Sequence, residues 1–139
     1  METIELILKL YVADAVALAR YMEGNLPRSA DRAFQEAEQG GARILFLDIV
    51  IGEFIYTALK GRLRTKDPKA LIQEMLERFE ISAHFEQAVM TQEAWKAFLH
   101  SPVRELHDRM IHSYAEAHSA DAIVTSDDEI TKTGFTTIW

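Results

Sequence analysis

The amino-acid sequence predicts an α/β fold in which helices cover both faces of a mostly parallel central sheet. Short apolar runs of strand length, at residues 6–13 and 43–47, alternate with longer segments whose apolar residues recur at helical spacing. The short runs carry few polar residues, which is typical of strands buried on both faces. With 139 residues, the chain has the size of one domain. We therefore expect a three-layer α/β/α arrangement in a single domain over residues 1–139.

The first part of the chain predicts one strand and two helices. The strand at residues 6–13 precedes a short helix at residues 15–22. Ser29 is a candidate N-cap for a second helix, which reaches Gln39 and ends at the pair Gly40-Gly41. The apolar face predicted for this second helix consists of Ala30, Ala33, Phe34 and Ala37.

The middle of the chain predicts a second strand followed by two more helices. Residues 43–47 form the strand, and Asp48 begins a helix that runs to about Leu59 and is closed by Gly61. Asp67 is the predicted cap of the next helix, because a proline follows it at the first helical position. The buried face predicted for that helix consists of Leu71, Ile72, Met75, Leu76 and Phe79.

The last part of the chain completes the alternation of strands and helices. Residues 80–83 are the candidate third strand. Helices are predicted at residues 91–99 and 105–118, a fourth strand at residues 122–125, and a last strand at residues 135–139 after a short turn-rich piece.

Composition and charge exclude several classes of protein. The chain has no cysteine, which rules out disulfide scaffolds, thiolate metal sites and cysteine nucleophiles. It carries 22 acidic against 15 basic residues, a net charge of −7, which argues against broad, charge-driven binding to nucleic acid. An acidic pocket that acts on nucleic acid through metal ions stays open.

The sequence predicts neither a membrane span nor a secretory signal. The longest apolar stretch, residues 4–22, is interrupted by Glu5, Lys9, Asp14 and Arg20. The N-terminal residues lack a basic region followed by an uninterrupted apolar core. We therefore expect a cytoplasmic protein with no membrane partner.

Four carboxylates map to one edge of the predicted sheet. Asp14 directly follows the first strand, Glu53 lies on the helix after the second, Asp108 lies near the start of the helix before the fourth, and Asp127 follows the fourth. Ligands of parallel α/β sheets bind at this edge, beyond the carboxyl ends of the strands. Taken singly, each acid has a structural alternative as a helix cap, a turn residue or a helix-surface carboxylate.

Together the four acids indicate a site for hard divalent cations. Carboxylates that face one another repel and are stabilised by Mg²⁺ or Mn²⁺, which prefer oxygen ligands. Such ions promote the hydrolysis of phosphodiesters. The residues thus predict metal-assisted phosphodiester cleavage, with Asp14, Glu53, Asp108 and Asp127 as catalytic and metal-ligating residues.

The same residues resemble those of the PIN-domain family. The matching pattern is an Asp ending the first strand, a Glu in FLDIVIGEFIYTAL, a helix that begins HD, and a closing VTSD. The short single-domain form is similar to the VapC-type toxins of prokaryotic toxin–antitoxin pairs. This resemblance implies a Mg²⁺-dependent (or Mn²⁺-dependent) endoribonuclease acting on RNA, a cognate antitoxin and a homodimer.

The resemblance also implies individual roles. Asp14 and Asp108 would be the main metal ligands, Glu53 and Asp127 would complete the site partly through water, and the hydroxyl of Thr125 would orient metal-bound water. Family members commonly carry Thr or Ser shortly after the first Asp, whereas this chain has Ala15-Val16 at that place.

One basic segment stands out in the acidic chain. It comprises Lys60, Arg62, Arg64, Lys66 and Lys69. It is either a phosphate-contacting rim that holds RNA beside the acids, or a solvated helix end and loop in which cations suit the helix dipole.

Other functions stay open at this point. One is a housekeeping RNA-processing PIN nuclease, and another is a catalytically silent PIN-like module that binds metal or RNA. A phospho-acceptor receiver is disfavoured, because Asp14 stands alone and the last strand has no lysine. His107 and His112 do not indicate a zinc site, since no third ligand of the HExxH type accompanies them.

Overall fold

A single five-stranded parallel sheet forms the centre of the molecule. The computed structural model describes residues 8–139. The sheet order is β3-β2-β1-β4-β5, and every neighbouring pair is parallel. The strands are β1 (Lys9–Ala13), β2 (Ala42–Leu47), β3 (Phe85–Ala88), β4 (Ala122–Val124) and β5 (Thr137–Ile138). The predicted α/β fold with a mostly parallel sheet is confirmed.

Seven helices connect and flank these strands. They are α1 (Ala15–Glu23), α2 (Arg28–Glu38), α3 (Asp48–Leu59), α4 (Pro68–Ile81), α5 (Gln92–Phe98), α6 (Leu106–Ala117) and α7 (Asp128–Lys132). Helix α3 packs between α1 and α4, whereas α5 and α6 pack against each other, with α6 lying on β1 and β4. The sheet is therefore covered by helices, as its apolar strands require.

The strand order places a topological switch point beside β1. From β1 the chain moves outward through β2 to β3, then crosses back to β4 and continues outward to β5. A crevice opens at the carboxyl ends of two neighbouring strands from which the chain leaves in opposite directions. In this molecule those strands are β1 and β4, so the crevice lies next to Asp14.

The hydrophobic core supports this edge rigidly. Val12, Ala13 and Val124 of the two central strands have no exposed surface. Aromatic rings fill the space on the side of α1 and α2, where Phe34 stacks on Tyr21 at 4.5 Å between ring centroids. The predicted face of α2 is confirmed, since Ala30, Ala33, Phe34 and Ala37 are all buried.

Two details of the prediction are wrong. Residues 80–83 do not form a strand, because α4 runs through Ile81 and the amide of Ser82 still donates to the carbonyl of Arg78. The third strand is β3 (Phe85–Ala88) instead. Ser29 is not the cap of α2: the helix starts one residue earlier, after Pro27, without a side-chain cap.

Other details differ by small amounts. Leu76 was expected on the buried face of α4 but is exposed, whereas Met75 on that face is buried. The turn-rich piece before the last strand contains the short helix α7, and β5 is shorter than expected. The start of the predicted first strand, residues 6 and 7, lies outside the described residues. Within residues 8–139, no helix is both long and apolar enough to cross a membrane.

Candidate active site

Asp14 lies at the centre of the crevice between β1 and β4. The backbone amide of Asp14 donates to the carbonyl of Val124, so the residue continues the pairing of the two strands by one position. One carboxylate oxygen accepts the amide of Ala17 at 2.8 Å, and the other accepts the hydroxyl of Thr125. Asp14 therefore caps α1, as its structural alternative predicted, and it also lies at the predicted site.

The Asp14 side chain is 6% exposed. Burial raises the pKa of its carboxyl above the ordinary value, and the neighbouring Asp127 raises it further. The hydrogen bonds from Thr125 and Ala17 act in the opposite direction. Because the Asp14 carboxylate is largely desolvated, a cation in contact with it would stabilise its charged form.

Asp127 follows β4 and caps α7. Its carboxylate accepts the amide of Ile130 at 2.9 Å, and its own amide donates to the hydroxyl oxygen of Thr125 at 3.0 Å. The Thr125 hydroxyl thus bridges the two acids, because it donates to Asp14 and accepts from the backbone of Asp127. The resemblance had assigned this hydroxyl to water, whereas the structure shows it holding Asp14.

Asp108 reaches the same crevice from the first turn of α6. Glu105 caps this helix by accepting the amide of Asp108 at 2.7 Å. Desolvation raises the pKa of Asp108 to about 7, with further contributions from the negative charges of Asp127, Glu105 and Asp14. The three aspartates are therefore close enough to repel one another, and no lysine or arginine is among the groups that shift the pKa of Asp14 or Asp108.

Glu53 is held beside the aspartates rather than among them. Its carboxylate on α3 contacts Nδ1 of His107 on α6, and the same nitrogen lies 3.8 Å from Glu105. The side chains of Glu53 and His107 are each about one-third exposed. Because His107 directly precedes Asp108, this contact ties α3 to the helix that carries one of the aspartates.

Sequence reasoning missed the role of His107 as a partner of Glu53. Its only sequence signal is its place in the His-Asp pair at the start of α6. His112, the other histidine weighed on this helix, is buried, and its Nδ1 is hydrogen-bonded to the hydroxyl of Ser101 at 2.8 Å.

The donor set suits a hard divalent cation. Asp14, Asp108 and Asp127 offer only oxygen ligands, and the repulsion among them is the feature that a bound cation relieves. Among residues 8–139, no group of three or more histidine, aspartate or glutamate side chains has the geometry of an assembled ion site. The three aspartates therefore influence one another electrostatically without forming an assembled ion site in this structure, and we refer to them as the acid cluster.

The basic segment and the acid cluster lie at opposite ends of α1. The backbone amide of Arg64 donates to the carboxylate of Glu23 at the end of α1, at 2.9 Å. The side chains of Arg62, Arg64 and Lys66 are exposed. Helix α1 therefore separates the acids at its N-terminus from the cations at its C-terminus.

Solved structures with this fold include toxin–antitoxin proteins. VapBC2 from Rickettsia felis, bound to a DNA fragment from its promoter, has a TM-score of 0.68 and 17% identity over 92% of this chain and 96% of that chain. VapC20 of Mycobacterium tuberculosis, a toxin that cleaves the sarcin-ricin loop, has a TM-score of 0.61 and 16% identity over 91% and 96%. VapBC-1 from nontypeable Haemophilus influenzae has a TM-score of 0.64 and 14% identity over 92% and 96%. At these identities the likeness concerns the fold.

The sequence itself matches one family. No curated protein sequence is significantly similar to the chain. The family model of the PIN domain matches residues 11–136, which run from the centre of β1 to just before β5 and include all four predicted acids. This chain belongs to the PIN domain family.

Proposed function

We propose that this protein is a Mg²⁺- or Mn²⁺-dependent endoribonuclease that acts in the cytoplasm as the toxin of a toxin–antitoxin pair. The observation that carries the proposal is the convergence of Asp14, Asp108 and Asp127 from three different elements, with no lysine or arginine of residues 8–139 among the groups that shift the pKa of Asp14 or Asp108. Membership in the PIN domain family and the fold shared with VapC20 support a nuclease.

Each residue has a separate role in such a site. A bound divalent ion supplies Lewis-acid stabilisation of the charge that develops on the scissile phosphate. Asp14 and Asp108 hold the ion, Thr125 fixes the rotamer of Asp14, and Asp127 and Glu53 complete the negative edge. His107 positions Glu53 through direct contact.

Cleavage of single-stranded RNA tests the proposal. Wild-type protein should cleave in Mg²⁺ and stop in EDTA, and Asp14→Asn, which keeps the size and the cap of α1, should be inactive in Mg²⁺. Equal activity of the two proteins, or activity that survives EDTA, refutes the proposed site. Binding of Mg²⁺ without turnover on any RNA supports the silent module instead.

The proposed protein partners are an antitoxin and a second copy of this chain. Structures with the same fold include VapBC complexes, which supports an antitoxin partner here. An exposed apolar surface around α5 is the surface we assign to self-association. It consists of Val89, Trp95, Leu99 and Leu106, each at least 46% exposed.

Light scattering measures this association. The wild-type protein should have the mass of a dimer, and Trp95→Ala combined with Leu99→Ala should lower the mass to that of a monomer. A monomeric wild type at micromolar concentration contradicts the homodimer.

A further inference from the structure

A groove runs along α1 from the acid cluster to the basic segment. It lies between α1 and α3, has a volume of about 280 Å³, and is close in size to the lower end of ligand pockets, ~300–1,000 Å³. Its apolar lining consists of Ala15, Val16, Ala19, Phe54 and Leu63, and its polar lining of Arg20, Glu23, Glu53 and Thr57.

One end of this groove lies beside the acid cluster, and the other end adjoins the basic segment. At one end Ala15 directly follows Asp14, and Glu53 forms the wall towards the acid cluster. At the other end Leu63 belongs to the basic segment, whose backbone is fixed to α1 by the hydrogen bond from Arg64 to Glu23. An ion at the acid cluster and the exposed arginines therefore create two phosphate-attracting positions separated by an apolar floor.

The floor itself does not suit a phosphate. Ala15, Val16 and Ala19 offer methyl groups, and Val16 is 48% exposed at the mouth of the groove. Single-stranded RNA has this alternation of charge and apolar surface. Its bases have flat, apolar faces and lie between charged phosphates. Thr57 supplies a hydroxyl that both donates and accepts at the edge of such a base.

We propose that the groove between α1 and α3 binds the base of one unpaired nucleotide next to the scissile phosphate. Val16 and Ala19 pack against the base, Thr57 contacts its polar edge, and the following phosphates lie over Arg62 and Arg64. This assignment rests on the proposed nuclease function and deepens it, because it makes Ala19, Val16 and Thr57 specificity-determining residues. It also gives Val16 a role in place of the hydroxyl that the family commonly has there.

The test uses RNA oligomers in which one nucleotide at a time lacks its base. Wild-type protein should lose about tenfold or more in kcat/KM when the missing base belongs to the nucleotide beside the cleaved bond, and much less elsewhere. Ala19→Leu, which fills the groove, should lower cleavage of intact RNA by a similar factor and make that position insensitive to base removal.

Matched variants separate this effect from loss of folding. Ala70→Leu makes the same enlargement at an exposed position of α4 outside the groove, and it should behave as wild type. Val16→Ala shortens an exposed side chain without burying anything new, and should show the same base insensitivity in milder form. If Ala19→Leu and Ala70→Leu cleave intact RNA equally, the groove does not bind a base.

Failure of the two proposals can be told apart. Cleavage by wild type that ignores base removal at every position overturns the base groove and leaves the nuclease intact. If no RNA is cleaved, the nuclease proposal fails, and fluorescence anisotropy of labelled RNA in Mg²⁺ then decides the groove: equal affinity of Ala19→Leu and Ala70→Leu overturns it. An Ala19→Leu protein that cleaves normally but escapes inhibition by the partner protein assigns the groove to that partner and also overturns the proposal.

Discussion

The acidic residues at the two edges of the central sheet differ in the charge of their neighbours. At the amino-terminal edge each carboxylate has a donor: Glu86 forms a two-pronged ion pair with Arg43, and Glu36 accepts the hydroxyl of Tyr11 and lies 3.5 Å from the ammonium of Lys9. Asp121 accepts the backbone amide of Leu10 at 2.7 Å. At the carboxyl-terminal edge, Asp108 faces Asp14, Asp127 and Glu105 instead.

This difference separates acids that are paired within the chain from the acids that we propose as metal ligands. The amino-edge pairs are partly exposed and satisfied within the chain, so they contribute modestly to folding and need no ligand. At the carboxyl edge, burial and neighbouring negative charges raise the pKa values of Asp14 and Asp108, which destabilises the folded protein at neutral pH. Net charge alone, −7 for the chain, does not reveal this division.

The largest expected effect is on catalysis. Asp108→Asn should lower RNA cleavage by on the order of 10²–10³, because it removes a charged ligand from the site while keeping the side-chain shape. The matched change at the other edge, Asp121→Asn, retains the oxygen that accepts the amide of Leu10 and should leave cleavage within about threefold, a difference of less than about 1 kcal/mol. Similar losses in both variants would erase the distinction between the edges.

The next effect is stabilisation by metal. An ion that binds only the folded protein stabilises it by about 2.7 kcal/mol at 100 times its Kd. The melting temperature of the wild type should therefore rise by several degrees in Mg²⁺. Asp14→Asn should lose most of this rise, whereas Glu86→Gln should keep it. A rise of equal size in Asp14→Asn would place the ion elsewhere.

The third expected effect concerns the free energy of unfolding without metal, which should change in opposite directions in two variants. In EDTA, Asp108→Asn should raise the free energy of unfolding, by on the order of 1 kcal/mol after allowance for solvent exposure, because it removes the desolvation of a charged group and the repulsion from Asp127 and Asp14. Glu86→Gln should lower it, because it leaves Arg43 without its ion pair.

The gain in Asp108→Asn should depend on pH. The pKa of Asp108 is raised in the folded protein from 3.8 to about 7. Ionisation of Asp108 therefore lowers the stability of the wild type as pH rises through that window, and the variant lacks this contribution. The gain should be small near pH 4 and complete above pH 7, as measured by urea unfolding. A gain that is the same at pH 5 and pH 8 would contradict the raised pKa.

Much of the fold follows from sequence patterns, and the wrong predictions concern an edge strand and the ends of helices. Strands buried on both faces, such as β1 and β2, are visible as apolar runs, and the faces of α2 and, apart from Leu76, of α4 are visible as helical spacing. The edge strand β3 was missed because it pairs with only one neighbour and exposes Gln87, so its sequence FEQA is not an apolar run. The run at residues 80–83 looked more like a strand, but Ile81 is an exposed helix end.

The site was predictable where it depends on strand ends and unpredictable where it depends on side-chain contacts. Asp14 and Asp127 follow β1 and β4, and adjacent parallel strands bring such positions together. The bond from Thr125 to Asp14 and the contact of His107 with Glu53 join residues 111 and 54 positions apart. No periodicity encodes such contacts, because they are set by tertiary packing and by side-chain rotamers. The catalytic roles of all four acids stay predictions.

The smallest expected effect concerns the basic side chains and the salt dependence of RNA binding. Arg43 and Arg78 bind carboxylates, whereas within residues 8–139 the side chains of Arg62 and Arg64 are exposed and form no ion pair. If these two arginines contact RNA phosphates, replacing both by Gln should reduce the slope of log affinity against log salt by about 1.4, since each contact to a single strand contributes about 0.7.

The control removes the same charge from another surface. Arg28 and Arg32 are exposed on α2, away from the groove, so replacing both by Gln lowers the net charge equally but should change the salt slope little. Fluorescence anisotropy of labelled single-stranded RNA at several salt concentrations measures both variants. If the two double variants have equal slopes, RNA responds to the overall charge of the protein, and the basic segment is the solvated helix end that its sequence equally allowed. A slope reduced only in the Arg62 and Arg64 variant instead places RNA phosphates beyond the groove, at the opposite end of α1 from the acid cluster.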